Sequence, residues 1–218
     1  MSKPIVVYTH GGPNPWKVIM VLEELGVPYE NRVVAHDAVK KPPFININPN
    51  GRTPAIEDPN TGITLWESGA ILEYLVDTYD KENKLNITSF PEKYHIKQYL
   101  HFQMSGQGPY YGQTTWFRKF HPEDVPSAKK RYDEQLVRVV EVLDGILKGK
   151  TYLVGEKCTY ADIAFIPWNN MMSFIFGDEA KTIVPEDKYP NFWAWHNRLV
   201  ARPAVQAALA LQAKAQGR

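Results

Sequence analysis

A single cysteine, Cys158, stands among 218 residues, so no disulfide can form within the chain. A lone thiol fits a reducing compartment, and a cytoplasmic location is the expectation. There is no CxxC, HExxH or GxxxxGK[ST] string, which removes motif support for dithiol redox chemistry, zinc proteolysis and P-loop nucleotide binding. The six histidines show no metal-ligand spacing, so no metal site is expected. Neither charge sign is in excess: 25 Lys plus Arg face 24 Asp plus Glu, a net charge of +1. That balance argues against nucleic acid or a membrane surface as a partner held by bulk charge. Long apolar runs are missing too. No stretch approaches the roughly 20 residues that span a bilayer, and the four-residue run Ile5-Val6-Val7-Tyr8 is too short for a signal-peptide core.

What is present is an ordinary globular composition, 44% hydrophobic and 22% charged, sufficient to bury a core. The first 80 or so residues alternate β-like and helical runs. Ile5 to Tyr8 reads as a buried strand, Pro15 to Leu25 as a helix with Val18, Val21, Leu22 and Leu25 on one face and Gly26 as its stop, and Tyr29 to Val34 as a second strand. This βαβ unit favours parallel pairing with a right-handed crossover. Ala55–Glu57 and Thr64–Trp66 flank Asp58-Pro59-Asn60-Thr61-Gly62, a hairpin signal, and a helix follows from about Ser68 to Thr78. The order β-α-β, β-β-α is that of a thioredoxin-like domain. From Pro91 onward helical periods dominate, with Leu136, Val139, Val140, Leu143, Ile146 and Leu147 as an apolar stripe. Thr159-Tyr160-Ala161-Asp162 resembles a capping box ahead of a buried helix. The expected architecture is an α/β thioredoxin-like domain over residues 1–82 and an all-α helical domain over 91–218, joined through the polar segment Asp80 to Pro91.

Three short segments offer chemistry. In Gly11-Gly12-Pro13-Asn14-Pro15-Trp16-Lys17, Asn14 suits an N-cap and Pro15 a first helical position. Free N–H groups and the positive dipole end stabilise an anion there, including a thiolate brought by a ligand; an ordinary cap explains the same residues. In Asn50-Gly51-Arg52-Thr53-Pro54-Ala55, a cis bond before Pro54 would turn the Thr53 backbone outward to pair with an extended peptide, whereas a trans bond makes a plain turn. Glu67 and Ser68 open a helix and together offer a carboxylate, a hydroxyl and free N–H groups, which suit the amino and carboxylate ends of an amino-acid-like ligand. Lys40 and Lys41 could meet a ligand carboxylate. Tyr110, Tyr111, Trp116 and Phe117 form an aromatic run fit for an apolar pocket or for core.

Taken in order, PNPWK near residue 14, NPNGRTPA near residue 50, WESGAILEYL near residue 70 and TYADIA near residue 160 resemble the cytosolic glutathione transferase superfamily. Gln103-Met104-Ser105-Gly106-Gln107-Gly108-Pro109, Pro167-Trp168-Asn169-Asn170-Met171-Met172 and Ala201-Arg202-Pro203-Ala204-Val205 narrow the resemblance to the nu class and the fungal nitrogen-regulator-like (Ure-type) class. The resemblance implies a thioredoxin-like domain that binds glutathione as co-substrate and a helical domain that supplies most of the second-substrate pocket. It places Asn14 at the glutathione sulfur, Thr53 against the cysteinyl backbone, Glu67 and Ser68 at the γ-glutamyl end, and Lys40 or else Lys41, together with Arg52, near the glycyl carboxylate or the peptide backbone. Trp16, Tyr110, Tyr111 and Trp116 would shape the second-substrate pocket. An apolar electrophile, a peroxide or a disulfide is the implied second substrate, and a homodimer the implied assembly, the N-terminal domain of one subunit facing the helical domain of the other. Two departures stand out. Asn14 occupies a position that many members fill with tyrosine, serine or cysteine, so the thiol would be activated electrostatically rather than by a base. Gly12 stands where nu-class enzymes tend to carry threonine, which weakens the transfer of their disulfide-reductase activity. A regulatory protein that keeps the fold without catalysis is the non-enzymatic alternative.

Overall fold

The computed structural model describes residues 2–217. They form two compact units, residues 2–86 together with 200–217, and residues 87–199.

In the first unit, β1 (Ile5–Thr9), α1 (Asn14–Leu25) and β2 (Tyr29–Val33) make the expected βαβ, β1 running parallel to β2. A short helix α2 (Phe44–Ile47) precedes β3 (Ala55–Asp58) and β4 (Ile63–Trp66), an antiparallel hairpin, and α3 (Ser68–Tyr79) follows. β3 also pairs antiparallel with β1, which gives the sheet order β2-β1-β3-β4. Because successive strand residues face opposite sides, Tyr8 and Ala55 pack with Val39 and Phe44 on one face. Ile5, Val7 and Ile56 are buried with the apolar residues of α1 and α3, both of which pack against strands of the sheet.

The last helix, α11 (Pro203–Ala215), packs against α1. The sequence division of 1–82 and 91–218 therefore differs from the compact units at the C-terminus, where residues 200–217 group with the first unit. The reason is physical: α1 is apolar around most of its circumference, with Trp16, Val18, Ile19, Met20, Val21 and Leu22 fully buried, and needs a cover beyond the sheet. An ion pair pins this contact. Arg202 grips the 5%-exposed carboxylate of Glu24 through Nε (2.5 Å) and Nη2 (2.9 Å).

The second unit is helical, and all four described strands precede residue 67. Its helices are α4 (Glu92–Phe102), α5 (Gly108–Thr115), α6 (Pro126–Leu147), α7 (Tyr160–Asn169), α8 (Met172–Phe176), α9 (Ala180–Ile183) and α10 (Pro190–Val200). All ten residues of α7 are buried, which makes it the axis of the unit. Of the stripe on α6, Leu136, Val139, Val140, Leu143 and Leu147 are buried and Ile146 is half-buried. Two five-residue π-helical turns, Gln103–Gln107 and Trp116–Phe120, were not legible in the period. At the first, the buried Gln107 amide donates to the Phe165 carbonyl (3.1 Å) and to Asn169 Oδ1 (2.7 Å), tying the widened turn to α7. Ahead of α7, the Asp162 carboxylate accepts from the Thr159 N–H and hydroxyl (both 2.8 Å), the Leu153 N–H (2.9 Å) and the Trp195 indole (2.9 Å). Burial pushes its carboxyl above the usual range and these donors pull it back. His196 on α10 is also buried, and desolvation lowers it to about 4, so it is neutral near pH 7.

Among the described residues, no helix is long and apolar enough to cross a membrane, and no group of three His, Cys, Asp or Glu side chains could hold a metal ion. Cys158 is a buried thiol outside any disulfide.

Candidate functional site

Strand register assembles the site. Tyr8 lies opposite Ala55 on the antiparallel β1–β3 pair, and Ala55 lies opposite Trp66 on β3–β4. One residue further out, the loop that leaves β1, the Thr53-Pro54 step and the Glu67-Ser68 step all leave the same end of the sheet. Residues 10–14, 48–54 and 67–68, far apart in sequence, therefore surround one surface of the first unit. The α1 N-terminus opens onto it.

The loop before α1 is fixed by its own side chains. Trp16 has no exposed surface, and its indole N–H donates to the His10 carbonyl (3.0 Å). The Gly12 N–H donates to His10 Nδ1 (2.5 Å), so Nδ1 is an acceptor and the neutral imidazole carries its proton on Nε2. Burial, and then the neighbouring His36, hold His10 below its ordinary value. Gln216 closes the outer side, its amide donating to the Gly11 carbonyl (2.7 Å). The glycine at position 12 follows from this packing. A Cβ there would fall 2.2 Å from His10 Cε1, so the imidazole fills the room a threonine side chain would take.

Asn14 is the first residue of α1, with Pro13 in the cap position and no side-chain cap bond. This corrects the reading of Asn14 as the cap itself. The half-buried Asn14 side chain stands at the mouth of the helix, and the first turn holds no acidic side chain to offset the positive dipole end.

The Thr53–Pro54 bond is cis, as the peptide-pairing reading required. Thr53 is 5% exposed, and its hydroxyl is buried without a partner among the described residues. Asn48 organises the approach: its amide donates to the Arg52 carbonyl (2.5 Å) and its Oδ1 accepts from the Asn50 N–H (2.9 Å). Gly51 has φ of 63°, and a Cβ on it would meet the Val39 carbonyl at 3.1 Å and Lys40 Cγ at 3.2 Å. That close approach lays the Lys40 stem beside the segment carrying Arg52 and Thr53. Lys41 instead pairs with Asp37 (3.5 Å) at the surface.

Glu67 is exposed, and its backbone sits at φ 71°, ψ 113°, a sparsely populated conformation for a residue with a side chain. Ser68 is the first residue of α3 rather than its cap. Its hydroxyl accepts a hydrogen bond from Lys17 Nζ (3.3 Å). Lys17 was not singled out from sequence. It is 2% exposed, and burial lowers its ammonium to about 7 while Glu67 pulls the other way. The available signal was its place inside Trp16-Lys17-Val18-Ile19-Met20-Val21, a helix too apolar to leave a solvated face.

The four aromatics assigned to a second-substrate pocket separate. Trp16 and Tyr111 have no exposed surface and are corrected to core: Trp16 pins the β1–α1 loop, and the Tyr111 ring meets Trp168 edge-on at 6.5 Å. Tyr110 is half-buried beneath the Arg138 guanidinium, and Trp116 is 47% exposed beside Phe120 and His121.

Comparison with known proteins gives one family. Residues 11–78 match the glutathione S-transferase N-terminal domain and residues 109–203 the glutathione S-transferase C-terminal domain. The chain is 47% identical to the glutathione S-transferase-like protein gedE of Aspergillus terreus, with 96% of each chain covered. It is 45% identical to glutathione S-transferase 1 of Schizosaccharomyces pombe, with 94% of each covered. Among solved structures it is similar to the glutathione transferase URE2P6 from Phanerochaete chrysosporium in complex with oxidized glutathione, at 43% identity, TM-score 0.91 and 98% of each chain covered.

Proposed function

The chain belongs to the glutathione S-transferase family, and from that premise we propose that it binds glutathione at the described end of its sheet and turns the tripeptide's thiolate on electrophiles. One observation carries the reading: strand register gathers Asn14, Thr53, Glu67 and Ser68 around one surface. In this reading the thiol-bearing residue lies extended along Thr53, the γ-glutamyl carboxylate meets Ser68 and the α3 N-terminus, and Glu67 meets the ammonium. Lys40 and Arg52 take the glycyl carboxylate. The sulfur then rests at the first turn of α1, where backbone N–H groups and the Asn14 amide donate to it. No protein group there need take the proton permanently, because the site favours the thiolate electrostatically. A carbon–sulfur bond forms as the leaving group departs with its electron pair. With a hydroperoxide, the sulfur attacks the terminal oxygen, the O–O bond breaks, and the alkoxide takes a proton and leaves as the alcohol. A second glutathione converts the resulting sulfenic acid to oxidised glutathione and water.

Disulfide reduction is the second reading, favoured by the oxidized glutathione bound in the similar Phanerochaete enzyme and weakened by Gly12. Comparing turnover of 1-chloro-2,4-dinitrobenzene with that of a model disulfide separates them. A homodimer and a cytoplasmic setting remain part of the proposal.

Calorimetric titration with glutathione tests the premise. The expected result is saturable binding with a Kd below about 1 mM, which corresponds to roughly 4 kcal/mol or more, and clear weakening in Ser68→Ala. Absence of binding at millimolar glutathione would overturn the reading, and binding without turnover on any of these substrates would favour the regulatory alternative.

A further inference from the structure

We propose that Lys17 is a positioning residue: its ammonium, buried under the mouth of α3, donates to the Ser68 hydroxyl and so turns that hydroxyl's own proton toward the ligand carboxylate. The inference rests on the glutathione reading and deepens it.

An ammonium has donors only, and a serine hydroxyl has one donor and two acceptor sites. With Nζ 3.3 Å from Ser68 Oγ, the charged lysine must be the donor, which leaves the hydroxyl proton free to point away from it. A carboxylate, which only accepts, then finds a donor. It also finds a positive charge behind that donor, in a place where water screens little because Lys17 is 2% and Ser68 9% exposed. Loss of the lysine proton reverses the arrangement. The neutral amine has a lone pair that can accept a hydrogen bond from the hydroxyl, which draws that donor away from the ligand, and the positive charge behind it is gone.

Two further observations point the same way. Burying a cation is costly, so a lysine here is a poor choice for stability alone, and methionine would fill the same space. Glu67, the opposing charge facing Lys17, is held in its unusual backbone conformation directly beside Ser68. Because burial brings Lys17 to about 7, a carboxylate ligand favours its protonated form, and binding takes up a proton. Affinity should then fall as pH rises through neutrality.

The probe is S-methylglutathione, whose blocked thiol removes the ionisation of sulfur from the measurement. Wild-type protein should bind it about fivefold or more weakly at about pH 8.5 than at about pH 6.5. Lys17→Met should bind about tenfold or more weakly at the lower pH and show no pH dependence, while its Tm stays at or above that of wild type. Lys17→Arg, charged at every pH used, should keep the affinity and lose the pH dependence. A folded Lys17→Met protein with wild-type affinity would overturn the proposal. So would a Lys17→Arg protein with the wild-type pH response, which decides the matter alone if Lys17→Met does not fold. If wild-type protein binds and Ser68→Ala weakens it while the lysine variants do not, the glutathione reading stands and this inference falls. If wild-type protein does not bind, both fall.

Discussion

Replacing Asn14 with alanine is expected to lower kcat about 10–100-fold, the loss of one hydrogen bond to a charged sulfur. The substitution removes a donor from the first turn of α1 and leaves the backbone N–H groups in place, so part of the electrostatic activation survives. The KM for glutathione should change much less, because the tripeptide's ends are held at Thr53, Glu67 and Ser68 in the proposed site. The pH at which turnover reaches half its maximum should move upward, since the thiolate loses a stabilising partner. Asn14→Asp should be more damaging than alanine, because a carboxylate at that place repels the thiolate. The check is a set of pH–rate profiles at saturating second substrate. An alanine variant with full activity and an unshifted profile would remove Asn14 from the mechanism.

The second large effect is on stability. Asp162→Ala is expected to cost about 3–5 kcal/mol, a large share of the roughly 5–15 kcal/mol that holds a protein folded. The carboxylate is fully buried and serves four donors: the Thr159 N–H and hydroxyl, the Leu153 N–H and the Trp195 indole. Alanine leaves all four without their acceptor in a place water does not reach, and each buried orphan costs about 1–3 kcal/mol unless the structure relaxes. Asparagine keeps the shape but turns one acceptor into an NH2 donor, so it should recover only part of the loss. Urea unfolding followed by tryptophan fluorescence reads this directly, since Trp195 belongs to the cluster. A change below about 1 kcal/mol would mean that the donors find other partners.

Local patterns carried the fold. Ile5–Tyr8, the helix after it and the Asp58–Gly62 turn each read correctly in place and type because their signals lie within a few residues. The structure places β1, α1 and the β3–β4 hairpin there, although Pro13 rather than Asn14 takes the cap position. The Thr159–Asp162 box was legible for the same reason, yet its bonds to Leu153 and Trp195 were not, because those partners come from other parts of the second unit. The buried state of Lys17 depends on α1 being enclosed by both the sheet and α11, a contact from the opposite end of the chain that no local period announces. Trp16 and Tyr111 were misplaced in a pocket because composition says that an aromatic is present, not which way its ring points; one indole serves the His10 carbonyl and the other ring packs on Trp168. The π-helical turn at Gln103–Gln107 hid behind polar residues that the helical period marks as exposed, although Gln103 and Gln107 are buried.

The most direct test is a crystal structure of the protein grown with glutathione. The account places the sulfur within hydrogen-bonding distance of the Asn14 side chain at the first turn of α1, the cysteinyl backbone along Thr53 and the γ-glutamyl carboxylate at Ser68. A tripeptide bound on another surface, or a sulfur turned away from that helix end, would contradict it.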